Sequence, residues 1–115
     1  MYKSLSHKEL TARLTTSIVG CNLEIHEQID STNIRAAALA RHGAPDGTVV
    51  LAESQIAGKG RLGRSWFAPP GSSLLMSLLL RPSLKPRQAQ HTTMICSLAI
   101  IEAIAATTGL VTRIK

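Results

Sequence analysis

The sequence predicts an α+β domain, in which helices pack on a mixed α/β sheet. Aliphatic and β-branched runs alternate with alanine-rich or amphipathic segments, and clusters of glycine, proline and aspartate separate them. With 44% hydrophobic and 17% charged residues, the composition is that of a globular chain rather than a disordered one. At 115 residues, it is one small domain at most, or a piece of a larger one.

The N-terminal quarter predicts one short helix and one strand. Ser6 and Glu9 have the spacing of a capping box, so we expect a helix over 7–16. Aliphatic residues in imperfect alternation predict a strand over 22–29.

A second helix and a second strand come next. Three candidate N-cap residues, Asp30-Ser31-Thr32, precede the alanine-rich segment 33–42, which predicts a helix, and Gly43 is placed to end it. The turn residues of 44–47 lead into a β-branched run that predicts a strand over 48–55.

The second half predicts two strands on either side of a long helix. After an irregular stretch over 55–72, the run 73–80 is apolar on both faces, which predicts a central strand covered on both sides. We expect a helix over 88–108, ended by Gly109, whose apolar surface covers one face of the sheet. The closing "LVTRIK", residues 110–115, predicts a last strand.

Positive charge is concentrated in one part of the chain. The net charge is +6, and no acidic residue lies between Glu53 and Glu102. That stretch holds six of the thirteen cations, namely Lys59, Arg61, Arg64, Arg81, Lys85 and Arg87. This local positive electrostatic field implies an anionic partner. The three cations within 59–64 lie close together in sequence, which suits a small anion better than a nucleic-acid duplex.

The sequence predicts no metal site, membrane span or export signal. The two cysteines and four histidines lack the spacing of a zinc or redox site. The N-terminus has no apolar core segment of a signal peptide, and polar residues interrupt the longest apolar region, 94–111. We therefore expect a reduced, cytoplasmic protein with no membrane partner.

The stretch "AGKGRLGRSW", residues 57–66, is the most unusual motif. It fits G-x-G-x-x-G after a predicted strand, but it lacks both a helix start after the loop and an acidic residue about twenty positions on, which excludes the dinucleotide fingerprint. The residue spacing also excludes the Walker phosphate-binding loop and the glycine-rich loop of protein kinases. Alternate glycines let backbone N–H groups turn toward an anion that the cations hold, so we expect a mobile loop that a ligand orders. The alternative is an ordinary solvated basic loop, which the charge pattern alone favours.

A second candidate site is the predicted helix start at 30–33. Free N–H groups converge there with short hydroxyl and amide side chains, which can bind a polar small molecule. A plain N-cap would explain Ser31 or Thr32 alone. It would not explain why a strand end carrying Gln55 leads directly into the basic loop.

Four segments together resemble the biotin protein ligases, the biotin–[acetyl-CoA-carboxylase] ligases. They are "DSTN" at 30–33, "AESQIAGKGRLGRSW" at 52–66, "SLLMSLLLRP" at 73–82, and a helix leading to "TRIK". The resemblance runs in order from Leu23 to Lys115, and the long glycine-rich motif is specific. Lys59 stands where the family usually has arginine, which keeps the charge but not the fork geometry.

The resemblance implies a class II synthetase-like fold and a two-step reaction. Biotin and Mg-ATP give biotinyl-5′-adenylate and pyrophosphate, and biotin then passes to a lysine of the biotin carboxyl carrier domain of acetyl-CoA carboxylase. The implied biotin-binding residues are Ser31, Thr32, Asn33 and Gln55. The implied adenylate and phosphate loop comprises Gly58, Lys59, Gly60, Arg61, Gly63, Arg64 and Trp66.

Two residues are implied as catalytic. Arg61 would meet the carboxylate–phosphate region, and Lys115 matches the lysine that opens the family's Lys-Trp-Pro-Asn-Asp motif. The resemblance makes 1–115 the N-terminal portion of a truncated catalytic domain, with no helix-turn-helix domain before it. We therefore expect no DNA binding, no protein-bound metal, and no ligation by this piece alone.

Two other functions remain open at this point. A lipoate ligase, related in fold, is the nearer rival. A non-enzymatic, basic nucleic-acid-binding domain would explain the charge, but it leaves 31–33 and Gln55 without a role and lacks an aromatic platform.

Overall fold

A computed structural model describes residues 2–115, which form two compact units. The first ends at Arg81 and contains the whole sheet, and the second comprises Pro82–Lys115.

The first unit is a three-stranded mixed sheet with two α-helices. Its elements in chain order are α1 (His7–Arg13), β1 (Leu23–Ile29), α2 (Thr32–Arg41), β2 (Val49–Gln55) and β3 (Leu75–Leu78). The strands lie in the order β1-β2-β3, with β1 and β2 parallel and β2 and β3 antiparallel. The predicted α+β class with a mixed sheet is confirmed.

The hydrophobic core is centred on β2. In the register, Val50 lies opposite Glu24 of β1 and Ser77 of β3, and α2 packs against β2 and β3. The buried apolar residues of the described chain are Ala36, Val49, Val50, Leu51, Ala52 and Leu75. Five of the six are on the strands, so the sheet is the rigid part that positions the chain segments leaving its strand ends.

Both predicted helices of this unit form, but the first is shorter than predicted and α2 is displaced by one residue from the predicted 33–42. Ser6 caps α1 by accepting from Glu9 N at 3.3 Å, but the helix ends at Arg13 rather than at residue 16. The reason is that Leu14 turns to extended backbone, with ψ 129°, and its side chain closes over Gly20. Gly43 lies at the end of α2 as predicted, with φ +82°.

The prediction of a central strand over 73–80 is wrong. Strand β3 is only four residues long and lies at the edge of the described sheet, while β2 occupies the centre. Its side chains alternate, since Leu75 and Ser77 are buried whereas Met76 is 44% exposed. The apolar sequence therefore predicted that a strand forms here, but it did not predict the position of that strand in the sheet.

The second unit contains one long helix. A 3₁₀ turn, Pro86–Gln88, leads into α3 (Ala89–Thr108), which Gly109 ends at φ +74° as predicted. None of its residues is buried in the described structure. The expectation that this helix covers one face of the sheet stays a prediction. The segment Pro86–Thr108 is long and apolar enough to cross a membrane, with mean hydropathy 1.3, but the core helix of a soluble protein passes the same test.

The predicted strand over 110–115 is wrong. That segment has no regular secondary structure and pairs with no strand among the described residues. β-propensity alone does not form a strand, because its N–H and C=O groups need a neighbouring strand to pair with.

Candidate functional site

The candidate site lies at the edge where β1 and β2 both end. Because these strands are parallel, their carboxyl ends meet there, and the chain after β1 turns directly into α2. A cleft of about 290 Å³ opens at this edge. It is lined by Ser31, Thr32, Asn33, Gln55, Lys59, Trp66, Ser73, Leu74, Leu75 and Met76. All four predicted ligand-binding residues and two residues of the glycine-rich loop are therefore brought together.

Two hydrogen bonds at the start of α2, one of them from β2, fix the polar side of the cleft. Gln55 Oε1 accepts from the backbone N–H of Thr32 at 2.8 Å, and Ser31 Oγ accepts from Asn33 N at 3.2 Å. Each bond satisfies one of the free N–H groups at the start of α2. Ser31 is therefore the N-cap and also a cleft residue, so the capping and ligand-binding interpretations of this motif are compatible.

Ser77 is a residue of this site that sequence reasoning missed. Its hydroxyl lies 2.8 Å from Thr32 Oγ1 and within hydrogen-bond distance of Asn33 Oδ1, and it is 93% buried beneath them. The signal was the second serine of the run "SLLMSLLL", which has apolar residues on both sides, because a polar group in a buried strand needs a partner.

The glycine-rich loop forms a short hairpin. Trp66 N donates to Gly58 O at 2.8 Å, Gly60 N donates to Arg64 O at 2.7 Å, and Lys59 pairs with Ser65 in an antiparallel bridge. A 3₁₀ turn, Arg61–Gly63, forms the tip. We call residues 58–66 the basic hairpin.

The base of the basic hairpin packs directly on the cleft. A Cβ added to the buried Gly58 would lie 2.8 Å from Trp66 O and 2.9 Å from Gln55 Nε2. Only glycine allows this approach of the hairpin backbone to Gln55. Close packing thus requires glycine here, and Lys59 and Trp66 of the same hairpin both line the cleft.

The tip of the hairpin does not line the cleft. Its residues are exposed, including Arg61, Gly63 and Arg64, and Leu62 is 93% exposed with φ +59°. Among the predicted catalytic residues, Arg61 therefore lies outside the cleft lining, and Lys115 belongs to the second unit.

An ion pair ties β1 to the helix that presents the cleft residues. Arg35 of α2 donates to both carboxylate oxygens of Glu24, at 2.7 and 2.8 Å, and His26 contacts the same carboxylate at 3.0 Å. The bond from Arg35 lowers the pKa of Glu24 to about 2, although its partial burial opposes the shift. The pair fixes α2 against the sheet just beyond Thr32.

Comparison with known proteins agrees with this geometry. The chain matches the Biotin/lipoate A/B protein ligase family over residues 25–115. It belongs to this family. The membership covers both the cleft and the hairpin, and it confirms the resemblance to a ligase family that the motifs indicated.

Curated relatives extend the match to the N-terminal helix. The chain is 37% identical over 111 residues to a bifunctional ligase/repressor BirA of Bacillus spizizenii, covering 96% of the chain and 34% of that protein. It is 36% identical over 85 residues to a biotin–[acetyl-CoA-carboxylase] ligase of Mycobacterium tuberculosis, covering 72% of the chain and 32% of the relative. This member of the family thus spans about a third of the length of these relatives.

Solved structures show the same fold. A biotin protein ligase of Leishmania major in complex with biotin superposes with a TM-score of 0.61 at 29% identity, over 75% of this chain and 34% of that one. The same enzyme with biotinyl-5-AMP gives 0.60 at 30% identity, covering 75% of this chain and 35% of that structure. The expected class II synthetase-like fold of the biotin ligases is confirmed.

Proposed function

We propose that this chain supplies the biotin pocket and the adenylate loop of an ATP-dependent biotin protein ligase. The carboxylate of biotin would attack the α-phosphorus of ATP, giving biotinyl-5′-adenylate and releasing pyrophosphate, and biotin would then pass to a lysine of a biotin carboxyl carrier domain. One observation carries the proposal. Ser31, Thr32, Asn33 and Gln55 line a single cleft together with Lys59 and Trp66 of the basic hairpin.

The polar groups of the cleft complement a cyclic urea, which has two N–H donors and one carbonyl acceptor. Gln55 uses its oxygen for Thr32 N, which leaves its NH₂ group to donate to a ligand. Ser31 Oγ accepts from Asn33 N, which leaves its own proton for the urea carbonyl. Leu74 and Leu75 give the cleft apolar surface for the rest of a bicyclic ligand.

The basic hairpin suits the first chemical step. A carboxylate attacking phosphorus needs positioning and charge neutralisation more than it needs a covalent nucleophile. Lys59 already faces the cleft, and Arg61 and Arg64 stand on the exposed part of the same hairpin. We infer that the tip closes over the adenylate, bringing Arg61 to the phosphate and excluding water from the mixed anhydride. Lys115 would act at the same group.

Magnesium would enter with the nucleotide rather than bind to the chain alone. None of the residues that line the cleft is a carboxylate, and residues 2–115 contain no cluster of three or more His, Cys, Asp or Glu that could hold a metal ion. Mg²⁺ commonly binds substrate phosphates with one or two carboxylates. These residues do not fit a metal centre of their own, so we derive no step through the ion.

We further propose that the 115 residues bind biotin without transferring it, because they span about a third of the relatives' length. The protein would act in the cytoplasm on acetyl-CoA carboxylase. The absence of biotin transfer can be tested by incubating the chain with ATP, Mg²⁺, biotin and a purified carrier domain and then measuring the intact mass of the carrier domain. A mass gain of the carrier would contradict it.

Calorimetric titration with biotin and with lipoate tests the binding proposal. We expect biotin to bind and lipoate not to. Thr32→Val, which replaces a hydroxyl by a methyl group in the cleft, should weaken biotin about tenfold. Thr11→Val is the matched control, since that hydroxyl donates to His7 O on α1, and it should leave the affinity unchanged.

Each alternative has a distinct outcome in this titration. Binding of lipoate without biotin would identify a lipoate ligase instead. Binding of neither ligand, with salt-dependent retention on DNA, would favour the nucleic-acid-binding alternative.

A further inference from the structure

We propose that Ser77 is a positioning residue that fixes the Thr32 hydroxyl as a hydrogen-bond acceptor and so selects ligands with a ring N–H at that point. The inference rests on the proposed function, because it states what the same cleft recognises. It assigns specificity to a residue that lies beneath the cleft rather than on its surface.

The direction of the hydrogen bonds can be derived by counting protons. Ser77 has one hydroxyl proton and two neighbours, Thr32 Oγ1 at 2.8 Å and Asn33 Oδ1. The amide oxygen of Asn33 can only accept, so Ser77 donates to it. The Thr32 hydroxyl must then donate its own proton to Ser77 Oγ. Its remaining lone pairs would then be available to a ligand in the cleft that Thr32 lines.

Burial makes this polarity persistent. Thr32 is 4% exposed and Ser77 is 7% exposed, so water has little access to replace either partner. Ser77 is also held by the sheet, since it lies opposite Val50 in the antiparallel pairing. Reversing the chain of bonds would leave Asn33 Oδ1 facing the Ser77 oxygen with no proton between them, which is unfavourable because lone pairs would then meet at hydrogen-bond distance.

The consequence is selection by ligand polarity. A urea N–H pointed at Thr32 Oγ1 finds an acceptor, whereas a ring oxygen at the same position meets lone pairs and is repelled. A 1,2-dithiolane ring has no N–H to offer. The Ser77–Thr32 pair would therefore contribute to the preference for biotin over lipoate.

Two cyclic carbamate analogues of biotin test this inference directly. In each analogue one of the two ring N–H groups is replaced by oxygen, with little change in shape. One of the two analogues places its ring oxygen against Thr32. The wild-type chain should bind biotin at least about tenfold more tightly than it binds this analogue. In Ser77→Ala the Thr32 proton is released and can donate to that oxygen, so this preference should fall by about tenfold.

The control and the second variant keep the test decisive. Ser54→Ala removes a strand hydroxyl that bonds Glu27 O outside the cleft, and it should leave the preference unchanged. If Ser77→Ala does not fold, Asn33→Ala at an exposed position removes the acceptor that fixes the Ser77 proton, and it should lower the same preference.

Failure of this inference differs from failure of the proposed function. An equal loss of affinity for biotin and both analogues, with the preference unchanged, would mean that Ser77 is only structural. A wild-type chain that binds biotin but does not distinguish the analogues would also overturn the inference. Absence of biotin binding by the wild-type chain would overturn the proposed function itself.

Discussion

Gln55 at the end of β2 accepts a hydrogen bond of 2.8 Å from the backbone N–H of Thr32 in the first turn of α2. The bond joins two segments that are 23 residues apart and fixes the rotation of the Gln55 amide. One end of the side chain therefore holds the fold together, while the other end is left for a ligand. The two roles can be separated by substitution.

The substitution Gln55→Glu should retain the fold but weaken the binding of biotin. A carboxylate can still accept from Thr32 N, and a negative charge is favourable at a helix N-terminus, but the NH₂ donors are gone. We expect the free energy of unfolding to change by less than about 1 kcal/mol and the affinity for biotin to fall at least about tenfold. Urea unfolding and calorimetry measure the two effects.

Gln55→Leu completes the comparison, since it should lose about 1 kcal/mol of stability as well as biotin binding. Gln28→Leu, at an exposed glutamine of β1, is the control for a change of polarity alone. Equal biotin affinity in Gln55→Glu and wild type would exclude the Gln55 amide as a donor.

Gly58→Ala should damage the cleft through the basic hairpin. The added methyl group would lie 2.8 Å from Trp66 O and 2.9 Å from Gln55 Nε2, so one of them must move. We expect biotin affinity to fall about tenfold or more, because the shift displaces a ligand donor. Gly43→Ala, with open space but φ +82°, controls for the cost of adding a side chain to glycine. Unchanged biotin affinity in Gly58→Ala would contradict the close packing.

The fold was predictable where the signals are local. As expected, Ser31 stands at the start of α2, Gly43 follows its end, and Gly109 ends α3. These boundaries were predictable because capping and left-handed backbone depend on a few neighbouring residues. The strands at 73–80 and 110–115 were mispredicted for the opposite reason. A strand's position depends on which partner it finds, and the sequence of one segment does not contain that information.

The candidate site was predictable as a set of residues but not as an arrangement. The motifs at 30–33 and 52–66 indicated which side chains bind a ligand, and four of them do line one cleft with Lys59. The contact of Ser77 with Thr32 spans 45 residues and depends on β3 pairing with β2. Such a partner becomes visible only once the sheet register is known.

The ion pair between Glu24 and Arg35 predicts acid sensitivity. The folded-state pKa of Glu24 is about 2, lowered by the hydrogen bonds from Arg35, against an ordinary value of 4.5. A lowered carboxyl pKa stabilises the folded state above the unfolded value, and that contribution is lost as pH falls from about 4.5 to about 2.

Glu24→Gln should therefore unfold more easily at neutral pH only. Because the Arg35 side chain is 41% exposed, solvent screens the pair, and we expect a loss of about 1–2 kcal/mol at pH 7. Urea unfolding at pH 7 and at pH 2 measures the difference, which should be mostly lost at the lower pH, where about half of the Glu24 carboxyl is protonated in the folded state. Glu27→Gln, an exposed residue of the same strand, is the control. A difference that persists at pH 2 would assign the effect to packing.

The exposed cations of the basic hairpin make its closure measurable by trypsin. Lys59, Arg61 and Arg64 are cleavage sites, and a closed hairpin would withhold them. At ten times Kd, biotin and ATP together should slow cleavage at the hairpin about tenfold, because cleavage then depends on the free fraction. Lys59→Gln should reduce this protection, since Lys59 lines the cleft, whereas Lys8→Gln on α1 should not. Cleavage that is equally fast with and without ligands would refute ligand-driven closure, and protection by ATP alone would show that the hairpin responds to the anion rather than to biotin.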